Sequence, residues 1–379
     1  MPPLKICHMT SVHSAADPRI FHKECRSLAR AGFDVTLIGP HSNDAVLDGV
    51  RIRAFHRDTR RLTRMTRTAW RMYNAARLHD ADVYHFHDPE LIPVGLLLKA
   101  NGKHVIYDIH EDLPKDVLSK DYLPRWTRAP ISALMNLVEN VACGRFSGLV
   151  AVTQSIADRF KERNCRTIVV HNFPYAEELV NEERSAAWAT RRQSVAYVGG
   201  IMAQRAIHEI VSAMALLPDA LSATLELAGP EVLSLRDHDA VRRNPGWKHT
   251  KYHGFVDQKT TFGILQSVRA GLVLFHPEPN HLESMPQKIF EYMGAGLPVI
   301  ASDFTLWRQI IGSGCGLFVD PLSAPDIARA IEYLLTHPAE AEAMGRRGQA
   351  AVLERFNWRS EARKLIDLYR QIGNEKCAA

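Results

Sequence analysis

The sequence predicts an α/β protein built from two doubly wound parallel sheets, and three observations carry that prediction. Short β-branched runs alternate with amphipathic helical segments from the first residues onward. The alternation breaks once, at the polar, alanine-rich segment Pro174–Arg192, and then starts again. At 379 residues the chain is long enough for two domains that each bury a core.

Taken in order, Lys5–Thr10 is the first apolar run. A polar loop leads to a helix over Arg19–Ala31, ended by Gly32, and Phe33–Gly39 is the next strand. Val50–Phe55 and Asp82–His87 read as strands on either side of an arginine-rich helix. His104–Ile109 and Gly148–Thr153 follow, separated by the long amphipathic stretch Tyr122–Cys143, and Ile168–His171 closes the first half. The second series runs Ser194–Gly199, Thr224–Ala228, Gly271–Phe275, Pro298–Ser302 and Gly316–Val319. Ser323, with Asp326 three residues on, starts a helix to Leu335. Helices over Ala339–Arg355 and Trp358–Ile372 finish the chain. The first domain is therefore expected over residues 1–175 and the second over 190–356. Two such domains imply a cleft between them, with ligands beyond the carboxyl ends of the strands.

Composition narrows the class. With 46% apolar and 23% charged residues the chain reads as a soluble globular enzyme. No apolar run approaches the roughly 18 residues of a membrane span. The opening MPPLKICHMTSV runs straight into a strand and does not read as a signal peptide. Cys7, Cys25, Cys143, Cys165, Cys315 and Cys377 are scattered with no C-x-x-C pair. That argues for reduced thiols in a cytoplasmic protein and against a zinc site or disulfide frame.

The net charge of +5 is unevenly spread. Arg51 to Arg77 holds nine arginines and one acid, Asp58, interleaved with Leu62, Met65, Trp70, Met72 and Tyr73. Either this is a solvated helix face, or it is a patch for an anionic surface. No nucleic-acid fold motif accompanies it, so membrane lipid is the preferred anionic partner. Arg60, Arg61, Arg64, Arg67, Trp70 and Arg71 would make that contact, on the inner face of the cell membrane.

His281–Ile300, HLESMPQKIFEYMGAGLPVI, reads as a loop, a helix, a turn and the start of a strand. Pro286 suits a first helical position. At 100° per residue, Glu291, Tyr292 and Ala295 fall within about 60° of Lys288 on one side. Ile289, Phe290 and Met293 fall on the other, so one face is expected to be core and the other polar. The N-terminus of such a helix offers unpaired N–H groups and roughly half a positive charge, a site for a diphosphate. Lys288 adds a full charge, and Glu283 and Glu291, spaced E-x7-E, can accept hydrogen bonds from sugar hydroxyls. The E-x7-E spacing alone does not separate this from an amphipathic helix with a solvated Lys and Glu.

Other candidate clusters also end strands. Tyr197-Val-Gly199-Gly200-Ile-Met-Ala-Gln-Arg205 precedes a helix, so its glycines would admit a phosphate and Arg205 would fork onto it. The alternative is a tight turn with a surface arginine. His85-Phe-His87-Asp88-Pro-Glu90 and Tyr107-Asp108-Ile-His110-Glu111-Asp112 end two successive strands. Charges there need partners if buried. His85 and His87 share one face of a strand, with no third metal ligand evident. Asp17 in the loop Thr10–Arg19 would cap the following helix, meet a substrate, or both. Two D-x-D strings, Asp80–Asp82 and Asp237–Asp239, read as chance, and Gly312-Ser-Gly314-Cys-Gly316 as a turn. No Walker A sequence is present.

The run Glu283-Ser-Met285-Pro286-Gln287-Lys288-Ile-Phe-Glu291-Tyr-Met-x-x-Gly296-Leu-Pro298-Val-Ile resembles the signature of retaining glycosyltransferases of family 4. The resemblance extends over nearly the whole chain and implies a GT-B fold of two Rossmann-like domains. It implies that Glu283 lies by the donor sugar, Glu291 holds the ribose, and Lys288, Arg205 and loop amides hold the diphosphate. Gly199, Gly200, Met285, Pro286 and Gln287 complete that donor site, and His110 matches the family's histidine beside the donor sugar. Lys251–Asp257 resembles the segment under the nucleobase, where backbone groups of Phe255 and Val256 would read the base edge. Thr10–Arg19 resembles a branch of bacterial polysaccharide enzymes with a His…Asp-x-Arg pattern, which places His13, Asp17, Arg19, His87 and Asp88 on the acceptor side. The last helix, opening at Phe356-Asn-Trp358, is expected to cross back to the first domain. Gln287 and Ala206 depart from the family, where Asn and Gly are common.

The expected activity is sugar transfer from a UDP- or GDP-sugar to a glycan or lipid-linked acceptor in surface-polysaccharide synthesis. The resemblance implies a hexosyltransferase type that needs no metal or other cofactor and no nucleic-acid partner. The alternatives are a nucleotide-sugar epimerase of the same fold and a non-catalytic basic surface-binding protein.

Overall fold

The computed structural model describes residues 2–58, 63–118, 123–179 and 188–378. Arg60, Arg61 and Tyr122, and part of the linker segment, lie outside the described residues, as does the side chain of Arg64. The chain forms two compact units: Met1–Asn172 together with Trp358–Ala379, and Phe173–Asn357.

In unit 1, β1 (Lys5–Met9), β2 (Asp34–Pro40), β3 (Ala45–Leu47), β4 (Val50–Phe55), β5 (Val83–Phe86), β6 (His104–Ile109), β7 (Gly148–Ala151) and β8 (Thr167–Val169) form one sheet. Their order is β3-β4-β2-β1-β5-β6-β7-β8, parallel except for the antiparallel β3–β4 pair. β3 was not expected, because its three residues show no apolar alternation. The helix expected over Arg19–Ala31 is a π-helical segment, Ile20–Cys25, followed by α1 (Arg26–Arg30). The remaining helices before the second unit are α2 (Ala69–His79), α3 (Ile92–Ala100), α4 (Leu113–Leu118), α5 (Arg125–Cys143) and α6 (Gln154–Phe160).

Side-chain parity decides what each face of this sheet carries. Cys7 and Met9, Tyr84 and Phe86, Tyr107 and Ile109 point to one face, where α2, α3, α5 and α6 close a continuous apolar cluster. The alternate residues are His8, His85 and Asp108, followed at the strand ends by His87 and His110. That face is covered by α1 and by the final helix, α15 (Trp358–Ala378). Trp358 is fully buried and its Nε1 donates to Ser27 Oγ at 2.9 Å, and Glu361 accepts from the backbone N–H of His171 at 2.8 Å.

Unit 2 is a six-stranded parallel sheet of β9 (Ser194–Val198), β10 (Thr224–Ala228), β11 (Thr250–Tyr252), β12 (Ala270–Val273), β13 (Val299–Ser302) and β14 (Gly316–Val319). The order is β11-β10-β9-β12-β13-β14. β11, a short edge strand, is a second element the apolar pattern does not reveal. Its helices are α7 (Ala176–Leu179), α8 (Ile207–Met214), α9 (Leu235–Arg243), α10 (Gln258–Ser267), α11 (Gln287–Gly294), α12 (Thr305–Ile311), α13 (Ala324–Thr336) and α14 (Pro338–Arg355). One face of the sheet packs on α8 and α13, the other on α10, α11 and α12. Ser323 Oγ accepts from the backbone N–H of Asp326, capping α13.

Two expectations for α11 are corrected. Pro286 is the cap residue and not the first helical one, since its ψ of 129° is extended. The supposed polar face is also largely inside: Lys288 and Tyr292 are buried along with Ile289, Phe290 and Met293. Tyr292 packs on the Gly271 backbone of β12, which leaves α11 covered on most sides.

Candidate active site

In unit 2 the strand β9 ends in Gly199-Gly200. Gly199 has φ +134°, a backbone conformation that favours glycine, and a Cβ there would stand 2.9 Å from Lys288 Nζ. Lys288 reaches this turn from the first turn of α11. Its ammonium lies 4.0 Å from the centre of the Tyr197 ring and 5.7 Å from that of Phe275. The residue is 8% exposed, and Nζ has no hydrogen-bond partner among the described residues. Arg205 lies over the same Phe275 ring at 5.1 Å and donates from Nη1 to Gly200 O at 3.3 Å. Burial, then the Arg205 charge, lower the Lys288 pKa to about 7, while Glu291 works the other way.

Two cations are thus held side by side at the N-terminus of a helix. The arrangement costs electrostatic energy until an anion joins it. The loop that carries Arg205 is tied down by His276, whose N–H donates to Gln204 O at 2.8 Å. Its ring lies 3.2 Å from Glu209 in the first turn of α8. The Glu209 carboxylate beside the ring raises the His276 pKa. His276 and Glu209 carry no motif and were not found from sequence. Ala206, where glycine is common, is buried in the left-handed region at φ +54°, so the backbone keeps a conformation that favours glycine.

The loop before α11 is anchored by Trp307, whose Nε1 donates to Ser284 O at 2.8 Å. Glu283 stands exposed in that loop, and Met285, Pro286 and Gln287 are half-buried. Glu291 lines a cavity of about 280 Å³ with Leu179, Gln258, Phe262 and Leu265. Phe255 is exposed at the end of β11 and Val256 packs on the core.

In unit 1 the expected cluster is larger than the motifs indicated. Asp108 is fully buried and accepts from Arg19 Nε and Nη2 at 3.2 and 3.0 Å, from His87 Nδ1 at 3.0 Å and from His110 Nε2 at 2.7 Å. Burial opposes its charge, yet Arg19, His110 and His87 hold its pKa well below the carboxylate range. These bonds determine a row of tautomers. His87, kept neutral by burial, donates from Nδ1 and therefore accepts at Nε2 from His8 Nδ1, 3.0 Å away. His8, also neutral through burial, accepts at Nε2 from the Tyr369 hydroxyl at 3.1 Å. Tyr369 accepts in turn from His85 Nδ1 at 2.7 Å. The row ends on His85 Nε2, a buried acceptor with no partner among the described residues.

Beside it sits Glu24, fully buried, with Arg19 Nε 2.9 Å from its Oε1. Burial, then the Asp108 charge, push the Glu24 pKa well up, while Arg19 works the other way. His8, Glu24 and Tyr369 were not among the sequence candidates. His8 was legible in principle, since it has the same parity as His85 in a neighbouring strand. Glu24, His85, His87 and Asp108 bring ligand-type atoms within 4.8 Å of one another, more than the two histidines expected. Arg19 already lies against both carboxylates, and both His87 nitrogens are used, so this donor set does not suit a metal.

The acceptor-side candidates divide. Arg19 is a buried counter-ion, with Nη1 donating to Val170 O at 3.0 Å. His87 is equally enclosed. Asp88 is buried and accepts from the Ser11 backbone N–H and hydroxyl and from Thr10 Oγ1, so it shapes the β1 loop. His13, Asp17 and His110 keep accessible surface. Asp17 Oδ1 caps the following segment by accepting from the N–H groups of Arg19 and Ile20. His13 lies 3.5 Å from Asp17 and 3.4 Å from Asp88, and the first of these raises its pKa. Of the D-x-D strings, Asp82 accepts from Lys5 N and Asp237 from Ser234, both structural roles.

Comparison with known sequences accounts for both halves. The sequence model of Glycosyltransferase Family 4 matches residues 19–173, and that of a glycosyl transferase-like domain matches 204–367. The chain belongs to glycosyltransferase family 4. Glycogen synthase of Mycobacterium tuberculosis is 22% identical to this glycosyltransferase over 93% of the chain and 90% of the relative. Among solved structures, sucrose-phosphate synthase from Thermosynechococcus elongatus superposes with a TM-score of 0.77 at 19% identity, covering 98% of this chain and all of that one. Anabaena HepE in complex with UDP-glucose does so at 0.68 and 16%, covering 99% and 100%. These likenesses show the GT-B fold, with its two parallel-sheet α/β domains. The branch within the family is not distinguished by them. No described helix of this glycosyltransferase is long and apolar enough to cross a membrane.

Proposed function

We propose that this glycosyltransferase is a retaining, metal-independent hexosyltransferase. It takes its sugar from a UDP- or GDP-sugar and delivers it to a lipid-linked saccharide in surface-polysaccharide synthesis. The observation that carries the donor reading is the unpartnered, buried Lys288 ammonium beside Arg205 and the Gly199 turn. A diphosphate there meets two cations and the start of α11. Breaking the anomeric bond builds negative charge on the leaving phosphate, where preorganised cations act most strongly. This cation pair supplies the stabilisation that a metal provides in other transferases. Glu291, lining the neighbouring cavity, accepts from ribose hydroxyls, and Glu283 orients sugar hydroxyls. HepE, whose complexes contain UDP, glucose and UDP-glucose, supports a nucleotide-sugar donor. The lipid-linked acceptor is supported by the basic, apolar helix layer of unit 1.

Titrating UDP, GDP and their sugars into the protein across pH tests the donor site. Lys288 must be charged to hold the diphosphate, so affinity falls as pH rises above about 7, and Lys288→Met removes that dependence. Affinity that ignores both pH and Lys288 overturns the assignment. Product anomeric configuration by NMR decides retention, and undiminished turnover in a chelator decides metal independence. Sugar isomerised without any acceptor would convert the reading to an epimerase.

A further inference from the structure

Helix α5 is packed inside out. Its buried positions include Ser132, whose hydroxyl donates to Pro114 O at 2.9 Å, and Glu139, which accepts from Arg159 at 2.9 Å. Its outward positions carry Trp126, Leu134, Leu137, Val138 and Val141, with Trp126 81% and Leu137 60% exposed. Ala129, Pro130 and Ala133 fill the stripe between them. From Trp126 to Val141 this apolar ridge runs about 22 Å along the helix. Such a ridge on a folded surface marks something that covers it.

The neighbouring helices indicate what that is. α2 and α3 pack on the same sheet face as α5 and expose Trp70, Leu78 and Leu97. Over residues 64–79, 92–100 and 125–143 the sequence contains one carboxylate, Glu139, and that one is buried and paired. The cations there include Arg67, Arg71, Arg77, Lys99, Arg125 and Arg128. An apolar ridge among cations, with no exposed acid on α2, α3 or α5 and Asp158 exposed on α6, complements an anionic bilayer surface. Two copies of this face would instead oppose like charges.

We propose that α5 is a membrane-docking element that lies in the plane of an anionic lipid leaflet, with Trp126, Leu134, Leu137, Val138 and Val141 below the headgroups. An in-plane helix of this kind binds through apolar burial plus attraction to acidic lipid. The arginines of α2 then act as the rim of this contact. The inference rests on the lipid-linked acceptor reading and names the element that would bring the protein to such an acceptor.

Flotation of the full chain with vesicles of phosphatidylcholine plus phosphatidylglycerol, against phosphatidylcholine alone, tests it. The wild type is expected to float with the acidic vesicles and to release as salt rises. The double variant Leu134→Glu/Leu137→Glu should lower partition by at least about tenfold with unchanged thermal unfolding, because both positions are exposed. Quenching of tryptophan fluorescence by brominated acyl chains should fall in Trp126→Phe, leaving what Trp70 contributes. A wild type that stays with the soluble fraction, or a double variant that floats like wild type, overturns the proposal. So does a wild-type dimer that the variant splits, which would make the ridge a contact between copies. Assaying the double variant on a water-soluble acceptor separates the two readings. Transfer retained with flotation lost supports docking alone, whereas flotation without any transfer counts against the catalytic reading only.

Discussion

The polar clusters of the two units differ in how their charges are settled. In unit 1, Asp108 is answered by Arg19, His87 and His110, and hydrogen-bond donation runs one way from His85 through Tyr369, His8 and His87 to Asp108. In unit 2, Lys288 and Arg205 share the Phe275 ring, and Lys288 Nζ has no hydrogen-bond partner among the described residues. The first cluster has its charges paired as folded, with His85 Nε2 and the Glu24 oxygens left without hydrogen-bond partners among the described residues. The second is complete only with an anion added, so the first should respond to mutation chiefly in stability and the second chiefly in function.

The largest expected effect is in unit 1. Asp108→Ala leaves the buried Arg19 charge to Glu24 and takes the acceptor from His87 and His110, and should cost about 3–5 kcal/mol in denaturant unfolding. A loss below 1 kcal/mol would show that water or rearrangement settles the charge as well as Asp108 does.

Lys288→Ala should lower turnover by at least ~100-fold, as losing one oxyanion donor does, measured with the preferred nucleotide sugar. The ligand-free variant should be no less stable than wild type. The pH dependence of stability sharpens the point. The folded Lys288 pKa of about 7 lies below its ordinary value of 10.5. Between those values the unfolded chain holds a proton that the folded chain has released, so this group's contribution to stability rises with pH. Lys288→Met should flatten that rise in thermal unfolding, and a fully saturating diphosphate should do the same by keeping the ammonium charged.

Tyr369→Phe leaves His85 Nδ1–H and His8 Nε2 without partners and should cost about 1–3 kcal/mol, with donor affinity unchanged. The smallest effect belongs to Ala206→Gly. Its left-handed backbone should gain up to about 1 kcal/mol, read as a small rise in melting temperature.

The β–α alternation made the fold class legible, because strands buried on both faces declare themselves as apolar runs. β3 and β11 stayed hidden, since edge strands of three residues have little burial to encode. The Lys288 motif was visible as a string of residue types, but its burial was not. A helical wheel treats Lys288 and Tyr292 as one polar side, and only the packing of α11 against Tyr197 and β12 turns that side inward. Arg19 misled for the reverse reason: a cation in a loop pattern reads as a substrate ligand until its buried carboxylate partners are seen. Tyr369 meets His8 across 361 positions of sequence, a separation over which no local pattern operates.

The final helix has a consequence for synthesis. Because α15 belongs to unit 1 and follows all of unit 2, a ribosome-tethered chain that stops before Trp358 has every strand of the first sheet but one face covered only in part, by α1. His8 and His85 then face water instead of Tyr369. Unit 2, contiguous over Phe173–Asn357, can close while unit 1 still waits, so maturation runs from the middle of the gene outward. A nascent-chain protease assay should find unit 2 resistant first, and the first sheet protected only when the closing helix has emerged.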